Sequence, residues 1–125
     1  MRVIIADDSE IVRSRLMEML KEIKGIEVIA EAKDCEELIK AVKSNYPDMV
    51  ILDIRMPGND GIVAIEAIRK IKKDKLKIVV FTNYPYFQYR KKCMDAGADF
   101  FFYKALEFEK LIKLVKEISK GSLGK

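Results

Sequence analysis

Two hydrophobic periods alternate along this chain. Short continuous apolar runs, Val3 to Ala6, Val28 to Ala30, Met49 to Leu52, Ile78 to Phe81 and Phe100 to Tyr103, read as strands covered on both faces, as the strands of a parallel sheet are. Between them lie stretches with helical spacing. Val12, Leu16, Met19, Leu20 and Ile23 recur along one helix face, with Ser9 as the N-cap. Asp34 and Glu37 have capping-box spacing and open a second helix with Leu38, Ala41 and Val42 turned inward. Ile62, Ile65, Ile68 and Ile71 mark a third. A fourth is expected after Pro85, where Tyr84, Tyr86, Phe87 and Tyr89 crowd its start, and Gly97 ends it. The fifth carries Leu111, Ile112, Leu114, Val115 and Ile118 on one face and Lys110, Lys113, Lys116 and Lys120 on the other.

Repeated strand-helix units of this kind predict an α/β fold with a doubly wound parallel sheet. One domain over residues 1–120 is expected, followed by a frayed GSLGK tail and no output domain. The length of 125 residues suits a single core.

Composition narrows the classes. With 50% hydrophobic and 35% charged residues, the chain is neither a disordered acidic tail nor a membrane protein. MRVIIADD runs straight into strand-like sequence with no basic leader, so a cytoplasmic protein is expected. Cys35 and Cys93 are isolated and there is no histidine, which argues against structural zinc, a catalytic triad and a phosphohistidine carrier. The net charge of +4 is read as solvated lysine-rich helix surface. No helix-turn-helix or basic aromatic face suggests direct nucleic-acid binding.

The chemistry gathers at strand ends. In doubly wound sheets ligands bind beyond the carboxyl ends of the strands, and there stand Asp7 and Asp8 after the first strand, Asp53 after the third, Thr82 at the fourth and Lys104 at the fifth. Each alone has an ordinary explanation as a helix cap, a strand former or a solvated cation. Together they describe a site. Three converging carboxylates favour a hard divalent ion such as Mg²⁺. Asp53 then has an oxygen available as a nucleophile, Lys104 offsets phosphoryl charge, and the Thr82 hydroxyl donates to a phosphoryl oxygen.

At this point the sequence resembles the receiver domains of two-component response regulators, at the size of the stand-alone chemotaxis type. The resemblance rests on ADDS (Ala6 to Ser9), LDIRMPGNDG (Leu52 to Gly61), the strand ending Phe81-Thr82, the Gly97 to Asp99 stretch and Lys104 after an aromatic strand. It implies a flavodoxin-like sheet of strand order 2-1-3-4-5 flanked by five helices. It also implies phosphoryl transfer to Asp53 from a sensor histidine kinase, a phosphotransfer protein or a small phosphodonor. Asp8 and Asp53 would ligate Mg²⁺ directly, Asp7 through water, and Arg55 through its backbone carbonyl. Pro57 and Gly58 would shape the loop, and Gly61 would let the third helix start close by. Such a domain assists its own phosphorylation and dephosphorylation rather than acting as an enzyme on other substrates. On phosphorylation Thr82 would move toward the phosphoryl group and Phe101 would turn inward. That change would alter the face of the fourth helix, fifth strand and fifth helix, a docking surface for a downstream protein or a second copy.

Two positions depart from the family pattern. Ala105 stands where proline with a cis peptide is usual, so either a costly non-proline cis bond forms or the loop is trans and reshaped. Asn83 replaces a small residue after Thr82, and Arg55 and Tyr84 occupy positions that vary in the family. These departures support a second reading, a degenerate receiver serving as a constitutive protein-binding module. A third, a Mg²⁺-dependent phosphatase using an aspartyl phosphate, expects a second aspartate two residues after the nucleophile, where Arg55 stands.

Overall fold

The computed structural model describes residues 1–58, 60–72, 75–83 and 87–121. Strands β1 (Arg2–Ala6), β2 (Glu27–Ala32), β3 (Met49–Leu52), β4 (Lys77–Thr82) and β5 (Phe100–Tyr103) alternate with helices α1 (Glu10–Lys21), α2 (Cys35–Ser44), α3 (Gly61–Lys72), α4 (Phe87–Ala96) and α5 (Phe108–Ser119). The strands form one sheet in the order β2-β1-β3-β4-β5, as the resemblance to receiver domains implies. Every neighbouring pair is parallel.

Alternation along each strand divides the core in two. Val3, Ile5, Ile51 and Phe81 point into a layer with Leu16 and Leu20 of α1 and Leu111 and Val115 of α5. Ile4, Ala6, Val50 and Val80 point the other way, onto Leu38 of α2, Ile65 and Ile68 of α3 and Cys93 of α4. Both faces of the sheet are therefore dry at β1, β3 and β4, whose apolar runs need no polar alternation, while the edge strands β2 and β5 are only partly covered. No described helix is long and apolar enough to cross a membrane.

Local signals act where they are expected. The Val12 N–H donates to Ser9 Oγ at 3.3 Å, and the Glu37 N–H donates to Asp34 Oδ1 at 2.8 Å. The capping box differs in one detail: Glu37 Oε1 accepts the N–H of Lys33, one residue before the cap, at 2.9 Å. Gly97 follows α4 with φ +122°, a conformation that glycine adopts without strain. The expected start of α4 at Tyr84, Pro85 and Tyr86 lies outside the described residues, as does the tail beyond Gly121.

At the amino-terminal edge of β4 and β5, Arg69 of α3 joins three segments. Its Nη1 donates to the Leu76 carbonyl at 2.7 Å, and its Nη2 donates to the Gly97 carbonyl at 2.6 Å and to Asp99 Oδ2 at 2.8 Å. The same Asp99 oxygen accepts the Ile78 N–H at 2.8 Å. Arg69→Ala leaves two carbonyls and a carboxylate without this donor. A loss of about 2–3 kcal/mol is expected in urea melts, while Arg2→Ala at the exposed pair with Glu27 should change stability by under about 1 kcal/mol.

Candidate phosphoacceptor and metal site

The acidic residues sit one step beyond their strands, each held by one further sheet-type bond. The Asp7 N–H donates to the Ala32 carbonyl at 2.9 Å and the Asp53 N–H to the Ala6 carbonyl at 3.0 Å. The Lys104 N–H donates to the Thr82 carbonyl at 2.8 Å. β1 and β3 are adjacent, yet α1 packs on one face of the sheet and α3 on the other. Their carboxyl ends therefore flank the crevice where chain direction diverges.

Side chains from the ends of four strands meet there. Lys104 Nζ lies 2.6 Å from Asp53 Oδ2 and 2.6 Å from Asp7 Oδ2. The other Asp53 oxygen, Oδ1, accepts the Thr82 hydroxyl at 2.7 Å and the Arg55 N–H at 2.9 Å. Asp7 Oδ1 accepts the Ser9 N–H at 2.9 Å. Asp7 is 2% exposed and Asp53 5%, so both charges need these partners. Asp8, by contrast, is exposed.

Electrostatics follow from sharing one cation between two acids. Burial raises the Asp7 pKa above its ordinary 3.8, and the bonds from Lys104 and the Ser9 N–H only partly oppose it. Burial acting alone would lower Lys104, but hydrogen bonds and charge from Asp53 and Asp7 outweigh it and the pKa is raised. The stability that Lys104 contributes is thus fully present below the unfolded value of 10.5 and is lost as pH rises through the folded one. Asp7 also has a raised pKa, so its contribution is greatest in acid and declines as pH rises from 3.8 through its folded value. In urea melts, the stability gap between wild type and Lys104→Met should stay level across pH 8 to 10 and shrink above about 10.5.

One carboxylate oxygen from each of Asp7, Asp8 and Asp53 lies within 4.8 Å of the others. The donors are all hard oxygens, with Asp8 open to solvent, a set that suits Mg²⁺ rather than a thiophilic ion. Beside it opens a cleft of about 480 Å³ whose walls include Asp8, Arg55, Met56 and Asp60. That volume admits a phosphodonor headgroup at the acidic corner. The expected loop around Pro57 is tied down, because the Pro57 carbonyl accepts the N–H of Cys35 at 3.2 Å.

A family model, the response regulator receiver domain, matches residues 3–116. The chain belongs to the response regulator receiver family. Among curated relatives, this receiver is 36% identical over 115 residues to the transcriptional regulatory protein PdtaR of Mycobacterium tuberculosis, covering 92% of this chain and 55% of that protein. It is 30% identical over 122 residues to the response regulator GacA of Pseudomonas aeruginosa, covering 96% of this chain and 56% of that one. The chain thus spans about half the length of the curated relatives it matches. Among solved structures, the isolated receiver domain of RcsB from Salmonella enterica, in the presence of the phosphomimetic BeF₃⁻, superposes with a TM-score of 0.87 at 29% identity. That match covers 97% of this chain and 89% of the other. Receivers are phosphorylation-based signalling switches, and the fold and acidic pocket here are of that kind.

The receiver brings together every residue the sequence singles out at the strand ends. Ala105 does not disturb this: no cis peptide occurs among the described residues, and Lys104 still reaches both carboxylates. Phe101 is 5% exposed, packs in the layer with Val80 and meets Tyr103 edge-on at 5.6 Å between ring centroids. Asn83 is exposed beside the site, and Tyr84 lies outside the described residues. Sequence reading missed Arg13 and Glu31. The Arg13 guanidinium donates to the Asp7 carbonyl at 2.6 Å and to Glu31 Oε1 at 3.0 Å. Its one local signal is a cation close to the positive end of a helix, where the macrodipole disfavours it.

Cysteine chemistry is unsuited to this site. Both thiols are buried, and burial, with a smaller contribution from Asp60, pushes Cys93 up to about 11. Native protein at pH 8 should resist iodoacetamide at Cys93 on peptide mapping, and denatured protein should not.

Proposed function

We propose that Asp53 is the phosphoacceptor of a two-component signalling switch, charged by a sensor histidine kinase, a phosphotransfer protein or a small phosphodonor. The observation that carries this reading is the clamping of one buried carboxylate by Lys104 on Oδ2 and Thr82 on Oδ1, with exposed Asp8 beside it. An Asp53 oxygen attacks phosphorus, the bond from phosphorus to the donor breaks, and the leaving group keeps the electron pair and takes a solvent proton. Lys104 and the Thr82 hydroxyl hold the acceptor before transfer and then offset charge on the phosphoryl oxygens. Likeness to a receiver that was solved with a phosphomimetic supports such a role.

Asp8, Asp53 and the Arg55 carbonyl would hold Mg²⁺, with Asp7 acting through water. When bound, the ion supplies positive charge for carboxylate and phosphoryl oxygens. Thr82 and Phe101 form the proposed switch pair, and the α4-β5-α5 face is the proposed contact for a downstream protein or a second copy. Thr82 sits opposite Tyr103 across β4 and β5, and Val80 opposite Phe101. Movement of the Thr82 hydroxyl is therefore felt within one strand pair of this face.

Intact-mass spectrometry after incubation with acetyl phosphate and Mg²⁺ tests the reading. One phosphoryl adduct is expected in wild type, none in Asp53→Asn, and none when Mg²⁺ is chelated. An adduct of equal yield in Asp53→Asn overturns the assignment. A folded wild type left unmodified by acetyl phosphate and by several histidine kinases favours a constitutive binding module.

A further inference from the structure

Arg13 lies outside the phosphoacceptor cluster, yet it is tied to it. Its guanidinium donates to the Asp7 carbonyl at 2.6 Å and to Glu31 Oε1 at 3.0 Å, with its side chain 15% exposed. The peptide segment around Asp8 is consequently held from both ends. On one side the Asp7 N–H is bound to the Ala32 carbonyl of β2 and the Asp7 carbonyl to Arg13. On the other the Ser9 N–H is bound to Asp7 Oδ1. Asp8 itself is exposed, so its backbone sets where its carboxylate can stand.

We infer that Arg13, braced by Glu31, is a positioning residue that sets Mg²⁺ affinity by fixing the Asp7-Asp8 segment. This rests on the metal site proposed above. The planar fork of arginine can serve a carbonyl and a carboxylate at once, which a lysine ammonium does with less fixed geometry. Outer contacts that orient metal ligands typically change affinity by about 10–100-fold when removed.

The sign of the effect separates positioning from simple charge. Arg13 is a cation bound to the main chain of Asp7, a member of the acidic cluster. On electrostatics alone, Arg13→Ala should tighten Mg²⁺ binding, whereas loss of positioning weakens it. Isothermal titration of Mg²⁺ into phosphodonor-free wild type, Arg13→Ala and Arg13→Lys reads the dissociation constant directly. A thermal melt in chelator reports folding of each variant. The expected result is binding about tenfold weaker in Arg13→Ala, with partial recovery in Arg13→Lys, each measured on folded protein. Arg13→Ala that binds Mg²⁺ as tightly as wild type, or more tightly, overturns the inference while leaving the metal site intact. Wild type that binds no Mg²⁺ overturns both. Should Arg13→Ala not fold, Arg13→Lys decides: unchanged affinity overturns the inference and weakened affinity supports it.

Discussion

With Lys104 replaced by alanine, the metal-free protein should lose about 3–5 kcal/mol of stability at pH 7, and phosphorylation of Asp53 should slow at least about 100-fold. Nζ is within 2.6 Å of both Asp7 and Asp53, and both carboxylates are almost wholly buried. Truncation leaves two desolvated negative charges facing each other, with Asp8 close by. Urea melts in chelator measure the loss. Mg²⁺ should then stabilise Lys104→Ala more than wild type, because the ion takes over charge that Nζ no longer neutralises. Adding Asp53→Asn removes one of the stranded charges, so the double variant should be more stable than the sum of the single losses, by about 1 kcal/mol or more. A Lys104→Ala protein as stable as wild type in chelator would show that the bridge adds no net stability.

That bridge also bears on what a sequence can reveal. Asp7, Asp8, Asp53, Thr82 and Lys104 were legible because each ends an apolar run, and a parallel sheet aligns strand ends at one edge whatever the loops do. The layers were legible for a related reason: helical spacing at Leu16, Leu38 and Ile65 leaves each helix one face to bury. Ala105 was ambiguous, since an unfavourable cis bond and a reshaped trans loop were both open. The backbone bond from Lys104 N–H to the Thr82 carbonyl carries the sheet ladder past the strand end, and the side chain arrives without proline.

Arg13 and Arg69 were not legible, because their partners come from other elements. Arg13 in α1 finds Glu31 in β2, and Arg69 in α3 finds Asp99 just before β5. Neither spacing has a local period, so each pairing exists only once the sheet is assembled. Glu37 is a different case, because its partner is local: its carboxylate reaches the N–H of Lys33 rather than that of the cap. Capping-box spacing gives the reach of the side chain, whereas the turn before the helix decides which N–H meets it.

Gly61→Ala is the second change with a large expected effect. Alanine is ordinarily the better helix former, by about 1 kcal/mol in a helix interior, but Gly61 begins α3 against the loop that follows Asp53. A Cβ there would stand 2.4 Å from Ile54 Cα, 2.5 Å from its carbonyl oxygen and 2.8 Å from its carbonyl carbon. These are backbone atoms, so no rotamer relieves the clash. Either α3 or the Ile54 peptide must move by about 1 Å to reach ordinary contact distance. Overpacking of this kind costs about 1–3 kcal/mol, so after the helix gain the net result should be destabilisation of about 1–2 kcal/mol. Ile54 lies between Asp53 and Arg55, whose N–H is bound to Asp53 Oδ1. Displacing it disturbs the acceptor as well as the helix, and the rate of adduct formation should fall about tenfold or more in protein that is still folded. Val63→Ala, at a 48% exposed position two residues further along α3, is the control. It should alter stability by under about 1 kcal/mol and leave the adduct rate unchanged. Urea melts and timed intact-mass spectra measure both quantities, and a Gly61→Ala protein matching this control in both would mean that the close approach of α3 to Ile54 does not set the acceptor geometry.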